Sequence, residues 1–263
     1  MAGRPSGWVP NQHGAWAMLA VPLISGTALR TPLDVPRSAL LAGCFVIGYF
    51  GFYAASQWLK SPPRRRGRFL PAVLTYGAAS AALGLVALLL TGAALLGWVP
   101  VFAVLLAPAL WLASRRRERA LLGGGLTTAA ACLMVLVLTH DSPAAVFAGW
   151  PDARPAILVS LCLFGYFFGT VLHVKSLIRE RGNTRVEFAS ASWHLAWTAL
   201  SLTLWGWPDA SLWVVLFALA TARTIVLPRL ARTRPLRPAT IGVLEVALST
   251  LALFCALSTP LAR

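Results

Sequence analysis

Side chains able to do chemistry are concentrated in three short stretches of an otherwise apolar chain. These stretches are residues 11–13 (NQH), residues 57–60 (QWLK) and residues 173–194 (HVKSLIRERGNTRVEFASASWH). Histidine titrates near neutral pH and can act as an acid or a base, whereas Lys and Arg bind phosphate and carboxylate groups. The candidate catalytic residues are His13, His173 and His194. The candidate ligand-binding residues are Asn11, Gln12, Gln57, Lys60, Lys175, Arg179, Glu180, Arg181, Asn183 and Arg185.

The spacing within residues 173–194 predicts two polar helix faces. His173, Ser176 and Glu180 are spaced i, i+3 and i+7, which puts them on one helix face. Glu187, Ser190 and His194 have the same spacing on the next helix. Lys175 and Arg179 lie four residues apart on a different face. A polar face at membrane depth is costly unless it lines the bundle interior or a water-filled cavity, so the pattern favours a pocket open to the cytoplasm. The alternative is that these side chains only solvate helix ends at the level of the lipid headgroups.

Neither metal nor disulfide chemistry is indicated by the sequence. The three candidate histidines match no compact metal-ligand spacing, and the four cysteines occur singly, without a CxxC pair. Residues 123–125 (GGG) follow a basic loop but lack the GxxxxGK[ST] pattern of a phosphate-binding loop, so they are interpreted as helix-packing glycines. We therefore expect no metal ion and no cofactor.

One carboxylate, that of Glu245, falls well inside a predicted membrane span. An intramembrane carboxylate is a functional candidate by default. Arg223 lies at a similar depth in the preceding span, and a structural ion pair between the two residues is the favoured hypothesis.

The elements that must position these residues are membrane-spanning helices. Hydrophobic residues make up 58% of the 263 residues, charged residues make up 12%, and the mean hydropathy is +0.72, which is too apolar for a soluble domain. About 20 apolar residues cross the hydrocarbon core as a helix, and nine such runs can be placed, with a tight turn near Gly92 between the third and the fourth. The runs cover residues 14–30, 38–59, 69–91, 94–113, 120–139, 155–177, 187–206, 209–227 and 239–258. The sequence thus predicts an all-α, polytopic transmembrane helical bundle in which residues 1–263 form a single domain, with no extramembrane domain.

The distribution of charge orients the predicted bundle. Nineteen of the 23 Lys and Arg residues fall in the N-terminal segment and in alternate loops, and all four aspartates fall in the other loops. Basic loops stay in the cytoplasm, so the N-terminus is predicted inside and, after nine spans, the C-terminus outside. These flanking residues also account for the net charge of +15. We therefore expect membrane lipids, and no nucleic acid, as partners.

Two strings carry a family resemblance. WVPNQHGAWAMLAVPL near the N-terminus and KSLIRERGNTR before the seventh run resemble the YwiC-like family of bacterial integral membrane proteins, the segment QHGAWAML being the more specific. The resemblance extends over essentially the whole chain. It implies a multi-pass protein of the bacterial cell (inner) membrane and no particular activity.

The predicted architecture is also similar to that of UbiA-type intramembrane prenyltransferases. That resemblance implies nine helices, a cytoplasmic N-terminus, and active-site motifs after the second and sixth spans. In that family those two loops carry Asp-rich motifs that bind Mg²⁺ and, through it, a prenyl diphosphate. The corresponding residues 56–68 (SQWLKSPPRRRGR) and 173–185 (HVKSLIRERGNTR) contain no aspartate. Mg²⁺ takes oxygen ligands, typically one or two carboxylates plus phosphate, and only Glu180 and Glu187 are available here, so Mg²⁺-dependent chemistry is not expected.

Three functions follow from these observations. The first is a basic, cytoplasm-facing pocket that binds an anionic or quinone-like amphiphile. The second is a structural or assembly subunit that docks a partner of a membrane complex through its basic loops. The third is a diverged or metal-independent transferase acting on a prenyl or other lipid-like substrate, with a histidine as acid or base.

Overall fold

A computed structural model describes residues 7–10, 14–117, 120–203, 210–233 and 238–259 of the chain. The regular secondary structure in these ranges is entirely helical, without a β-strand. The predicted all-α class is therefore confirmed. Eleven α-helices occupy the described ranges. They are α1 (Ala15–Leu29), α2 (Val35–Lys60), α3 (Pro63–Arg66), α4 (Leu70–Thr91), α5 (Trp98–Ser114), α6 (Leu121–Thr139), α7 (Pro143–Ala148), α8 (Arg154–Val174), α9 (Thr184–Thr203), α10 (Ala210–Thr233) and α11 (Pro238–Ser258).

Seven helical segments in the described ranges are long and apolar enough to cross a membrane. They contain α2, α4, α5, α6, α8, α10 and α11, and each coincides with a predicted run. The first predicted run is a helix of only 15 residues, and the seventh is the 20-residue helix α9, whose first half is polar. These seven helices indicate a multi-pass membrane protein. The count of nine spans and the orientation of the termini stay predictions.

Gly92 marks the turn expected between the third and fourth runs. It has a positive φ of 93°, a conformation that glycine adopts without steric cost, and its N–H caps the last turn of α4. A short 3₁₀ segment, Ala93–Gly97, then leads directly into α5.

The helices pack in two groups that meet at α1 and α6. In one group α2 packs against α4 and α5, and α4 and α5 present most of their apolar surface outward, as lipid-facing helices do. In the other group α8 packs against α6, α9 and α11, and α10 packs against α9 and α11. The fully buried side chains Val159, Leu163, Tyr166 and Phe167 place α8 at the centre of the core.

Arg37 of α2 joins that helix to the C-terminal end of α6, at the end of the bundle predicted to face outward. Its guanidinium donates to the carbonyl oxygens of Leu138 (2.8 Å) and Val137 (3.4 Å), and to the carboxylate of Asp141 (2.9 Å). Arg30 donates to two carbonyls at the same helix end. These are the last carbonyls of α6, which carry the negative end of the helix dipole and lack partners within the helix.

Two glycines on α8 allow α9 to approach closely. A Cβ on Gly165 would overlap the ring of Trp197, and a Cβ on Gly169 would lie 2.6 Å from His194 Nε2. Glycines four residues apart let membrane helices pack in this way. The indole of Trp193 adds a hydrogen bond to the carbonyl oxygen of Gly165 at 2.8 Å. The imidazole of His194 is thereby held against α8.

Candidate functional site

His173 on α8 and His194 on α9 belong to one buried polar cluster. Both side chains are completely buried, as are the neighbouring Ser176 and Ser190. The two polar faces predicted within residues 173–194 therefore face the interior of the bundle at these four positions. The close approach at Gly169, one turn before His173, is what brings the two histidines into the same region.

Arg223 on α10 connects this cluster to α11. Its Nη1 donates to Glu245 Oε1 at 2.5 Å, so the predicted ion pair is present. Its Nη2 lies 3.4 Å from His194 Nε2. Both charged side chains are largely buried, with 2% of the Arg223 side chain and 16% of the Glu245 side chain exposed. In an apolar interior such a pair is retained only when its charges compensate each other.

The contacts of His194 fix its tautomer. Nδ1 lies 2.7 Å from the carbonyl oxygen of Ser190, which can only accept a hydrogen bond, so Nδ1 carries the proton. Nε2 then carries the lone pair and accepts from Arg223. A neutral His194, a cationic Arg223 and an anionic Glu245 give the cluster no net charge.

A second set of hydroxyl groups extends the cluster along α8 and α11. Tyr166 Oη lies 3.3 Å from Ser249 Oγ, and both residues are buried. Thr170 lies between Tyr166 and His173 on the same face of α8, with a buried hydroxyl. The cluster therefore combines imidazole, guanidinium, carboxylate and hydroxyl groups from four helices.

The cationic ligand candidates of residues 175–185 lie outside this cluster. A π-helical turn, Lys175–Arg179, follows α8, and the added residue in that turn rotates Glu180 away from the face of His173 and Ser176. Glu180 instead lies 3.8 Å from Lys175 Nζ and accepts from Asn183 Nδ2 at 3.1 Å. These contacts place Glu180 in the turn and not on the buried face.

The arginines of the same segment lie at the surface. Arg179 and Arg185 are exposed, and Arg181 donates to the carbonyl oxygen of Ala231 near the end of α10. Arg232, also near that end, pairs with Glu187. The turn after α8 is thus attached to the end of α10 by hydrogen bonds that the sequence did not predict.

The remaining candidates lie elsewhere. Gln57 and Lys60 end α2, which packs in the other helix group, and Lys60 accepts there from Arg116 Nε at 3.3 Å through its carbonyl oxygen. Asn11, Gln12 and His13 fall outside the described residues. Across the described ranges, no three His, Cys, Asp or Glu side chains form a group able to hold a metal ion.

An apolar groove of about 550 Å³ lies between α10 and α11 close to these arginines. Leu227 of α10 lines one side of it. The α11 residues that line it are Ala239, Thr240, Ile241, Val243, Leu244 and Ala247. Sequence reasoning missed this groove because its residues are indistinguishable, in type and spacing, from those of any lipid-facing helix.

The groove shares a wall with the π-helical turn Lys175–Arg179, called the cationic turn below. Leu177, which lies between Lys175 and Arg179, packs in one apolar cluster with Ala231, Ile241 and Leu227. Ile241 and Leu227 also line the groove. The groove and the turn are therefore parts of one continuous surface.

Comparison with known proteins agrees with the resemblance found in the sequence. The family model described as "YwiC-like protein" matches residues 9–139. A curated relative, "Uncharacterized protein YwiC" of Bacillus subtilis (strain 168), is 27% identical over 199 residues, which cover 73% of this chain and 76% of the relative. No solved structure matches the chain, so the similarity to UbiA-type enzymes stays a prediction. Together the two matches support membership of the chain in the YwiC-like protein family.

Proposed function

We propose that this membrane protein binds an amphiphile with an anionic head and an apolar tail where α10 and α11 meet the turn after α8. The observation that supports the proposal is the apolar groove of about 550 Å³ beside the cationic turn. The predicted orientation puts this end of the bundle at the cytoplasmic leaflet.

The groove suits the tail of such a molecule. Its volume is within the range of about 300–1,000 Å³ typical of small-molecule sites. Apart from Thr240, the lining residues have aliphatic side chains, which contact a hydrocarbon chain without leaving polar groups unpaired. Val243, which is 70% exposed, places the groove on the outer surface of the bundle, where a lipid-dissolved molecule can enter sideways.

The charges around the groove suit an anionic head. Residues 175–187 and 229–232 contain six Lys and Arg residues but only two Glu residues. Arginine pairs with phosphate and carboxylate groups through two parallel hydrogen bonds, without a metal ion. A neutral quinone head accepts hydrogen bonds from these cations but forms no ion pair with them. The geometry therefore favours the anionic ligand of the two that the sequence suggested.

Native mass spectrometry of the detergent-solubilised protein tests the proposal. Phosphatidylglycerol and phosphatidylcholine with identical acyl chains are the probes, and tighter retention of phosphatidylglycerol is expected. Equal retention of the two lipids would show that no anionic head is recognised. Co-purification of a stoichiometric protein subunit, with no retained lipid, would favour the assembly-subunit hypothesis instead.

A groove-filling variant tests where the tail lies. Ala247→Trp places a large side chain in the groove and should weaken phosphatidylglycerol retention about tenfold or more, since most of the tail contact is lost. Ala82→Trp, on the exposed face of α4, is the matched control and should retain the lipid as the wild type does. Equal binding by both variants would remove the groove as the tail site.

A charge variant tests where the head lies. Arg179→Gln/Arg185→Gln removes two exposed cations beside the groove and should reduce the preference for phosphatidylglycerol over phosphatidylcholine several-fold. Arg64→Gln/Arg65→Gln removes two exposed cations from the loop after α2 and should leave that preference unchanged. The same loss in both double variants would indicate only general attraction to anionic lipid.

A further inference from the structure

The buried cluster around His173 contains hydrogen-bonding groups that amphiphile binding does not use. In the part of the chain that the structure describes, eleven buried side-chain N and O atoms have no hydrogen-bond partner in the protein. Six of them belong to this one cluster. They are both ring nitrogens of His173, Thr170 Oγ1, Ser190 Oγ, Arg223 Nε and Glu245 Oε2. The concentration of these atoms around the Arg223–Glu245 pair points to a polar ligand that several of them share.

The chemistry of these six atoms limits what that ligand is. The set includes donors, such as Arg223 Nε, and acceptors, such as Glu245 Oε2, while hydroxyls serve as either. The cluster has no net charge, so it offers no excess charge to hold a permanently bound ion. Water donates and accepts in equal measure, and buried water characteristically satisfies otherwise unpaired polar groups.

We propose that the His173–Glu245 cluster binds a group of water molecules and acts as a proton-exchange site, with Glu245 as the proton-binding group and His173 as its relay. A hydronium ion gives its proton to one ring nitrogen of His173, the other ring nitrogen releases its proton to the bound water, and that water delivers a proton to Glu245 Oε2. Each N–H or O–H bond that forms is matched by one that breaks. The proton-exchange site is separate from the amphiphile site.

The two histidines differ in their ability to relay a proton. His194 uses Nδ1 as a donor to the carbonyl of Ser190 and has Arg223 beside Nε2, so neither nitrogen is available to water. His173 has both nitrogens free of protein partners and is completely buried. A neutral imidazole of this kind accepts a proton on one nitrogen as it releases one from the other.

The position of His173 connects the cluster to the loop end of the bundle. It lies in the last turn of α8, and Ser176 Oγ, in the π-helical turn beyond it, donates to the His173 carbonyl oxygen at 2.8 Å. Histidine and carboxylate chains at membrane depth are the usual constituents of proton relays.

Among the described residues, the titratable or charged groups that face this site come from four helices. α8 brings Tyr166 and His173, α9 brings His194, α10 brings Arg223 and α11 brings Glu245. Lys175, in the turn after α8, is engaged by Glu180. The helices α1 and α6, which also pack on α8, contain no Asp, Glu, His, Lys or Arg. The charge balance of the site is therefore set by Arg223 and Glu245.

Hydroxyl-radical footprinting of the wild-type protein in lipid nanodiscs tests for the bound water. Radicals formed from internal water oxidise buried residues next to it. Tyr166, which contacts the cluster, should be oxidised at least several-fold faster than the adjacent Phe167, which is equally buried. Oxidation of Tyr166 at the rate of Phe167 would show a dry cluster and overturn the proposal.

Infrared difference spectroscopy tests for the proton. As the pH falls from about 8 to about 4, the carbonyl band of a protonated carboxyl group in an apolar environment should appear, and Glu245→Gln should abolish it. In a His173→Leu variant the deuterium exchange of that band should slow about tenfold or more. Absence of a Glu245-dependent band would overturn the proton site, and unchanged exchange in His173→Leu would overturn the relay.

Discussion

The contact between Gly169 and His194 makes a sharp prediction for the variant Gly169→Ala. An added Cβ would lie 2.6 Å from His194 Nε2 and 3.0 Å from Trp193 Cδ1, well inside van der Waals contact. Neither ring can move freely, because Trp193 is hydrogen-bonded to Gly165 and the His194 ring to Ser190. The new methyl group must therefore push α8 and α9 apart or displace the imidazole from Arg223.

The size of the effect follows from two opposing contributions. Inserting a methyl group into a packed interface typically costs about 1–3 kcal/mol, and Ala recovers about 0.5–1 kcal/mol of helix stability relative to Gly. Weakening the 3.4 Å contact of His194 with Arg223 adds to the loss. Gly169→Ala should therefore lower the free energy of unfolding by about 2 kcal/mol. Gly77→Ala in α4, where no atom lies within 4 Å of the added Cβ, should raise it by up to about 1 kcal/mol.

The buried cysteines provide the assay. Cys132, Cys162 and Cys255 are free and buried, so a dye that becomes fluorescent on reacting with thiols reports unfolding of the detergent-solubilised protein. Gly169→Ala should melt at a lower temperature than the wild type, and Gly77→Ala at the same or a higher temperature. If both variants melted alike, the close approach of α8 and α9 at Gly169 would be refuted.

Three further predictions use the same thiol assay. Arg223→Leu leaves the buried carboxylate of Glu245 unpaired and should lower the free energy of unfolding by about 3–5 kcal/mol. The double variant Arg223→Leu/Glu245→Leu should recover most of that loss. Equal instability of the two variants would argue against a compensated pair. Arg37→Ala removes hydrogen bonds to two helix-end carbonyls and one carboxylate and should cost about 2–4 kcal/mol, while the exposed Arg64→Ala should stay within about 0.5 kcal/mol of the wild type. Partial burial lowers the pKa of His140 below its ordinary value of 6.5, so protonation favours the unfolded chain. Stability should be complete above about pH 6.5 and fall as the pH drops below it, and His140→Gln should flatten that fall; an unchanged pH profile would contradict the assignment.

The polar positions of residues 173–194 show how far periodicity alone could predict the site. Helical spacing correctly put His173 and Ser176, and likewise Ser190 and His194, on faces turned to the bundle interior. It failed at Glu180 because the turn from Lys175 to Arg179 is π-helical, and the backbone bond from Glu180 N–H to the Lys175 carbonyl replaces the α-helical register. A single added residue in a turn has no signature in hydrophobic spacing.

The attachment of the cationic turn to α10 could not be read from the chain. Arg181 bonds to a carbonyl 50 residues away and Arg232 to a carboxylate 45 residues away. Arg181 and Arg232 both fit the pattern of loop cations that set topology. The neighbouring sequence does not distinguish arginines that bond to another helix from arginines that face water. The glycine spacing at 165–169 was a usable signal for close packing of α8, although it does not identify the opposing helix.

The sequence by itself determined that the chain is a bundle of membrane helices, and where most of those helices begin and end. It could do so because the cost of placing polar backbone and charged side chains in hydrocarbon is local and adds up along the chain. It also determined that Glu245 requires a partner at its own depth. Only the tertiary structure decided that the pair of Glu245 and Arg223 lies beside His194 and His173, and that an apolar groove lies beside the cations of the turn. Those arrangements depend on which helix faces meet, which is set by shape complementarity between residues far apart in sequence.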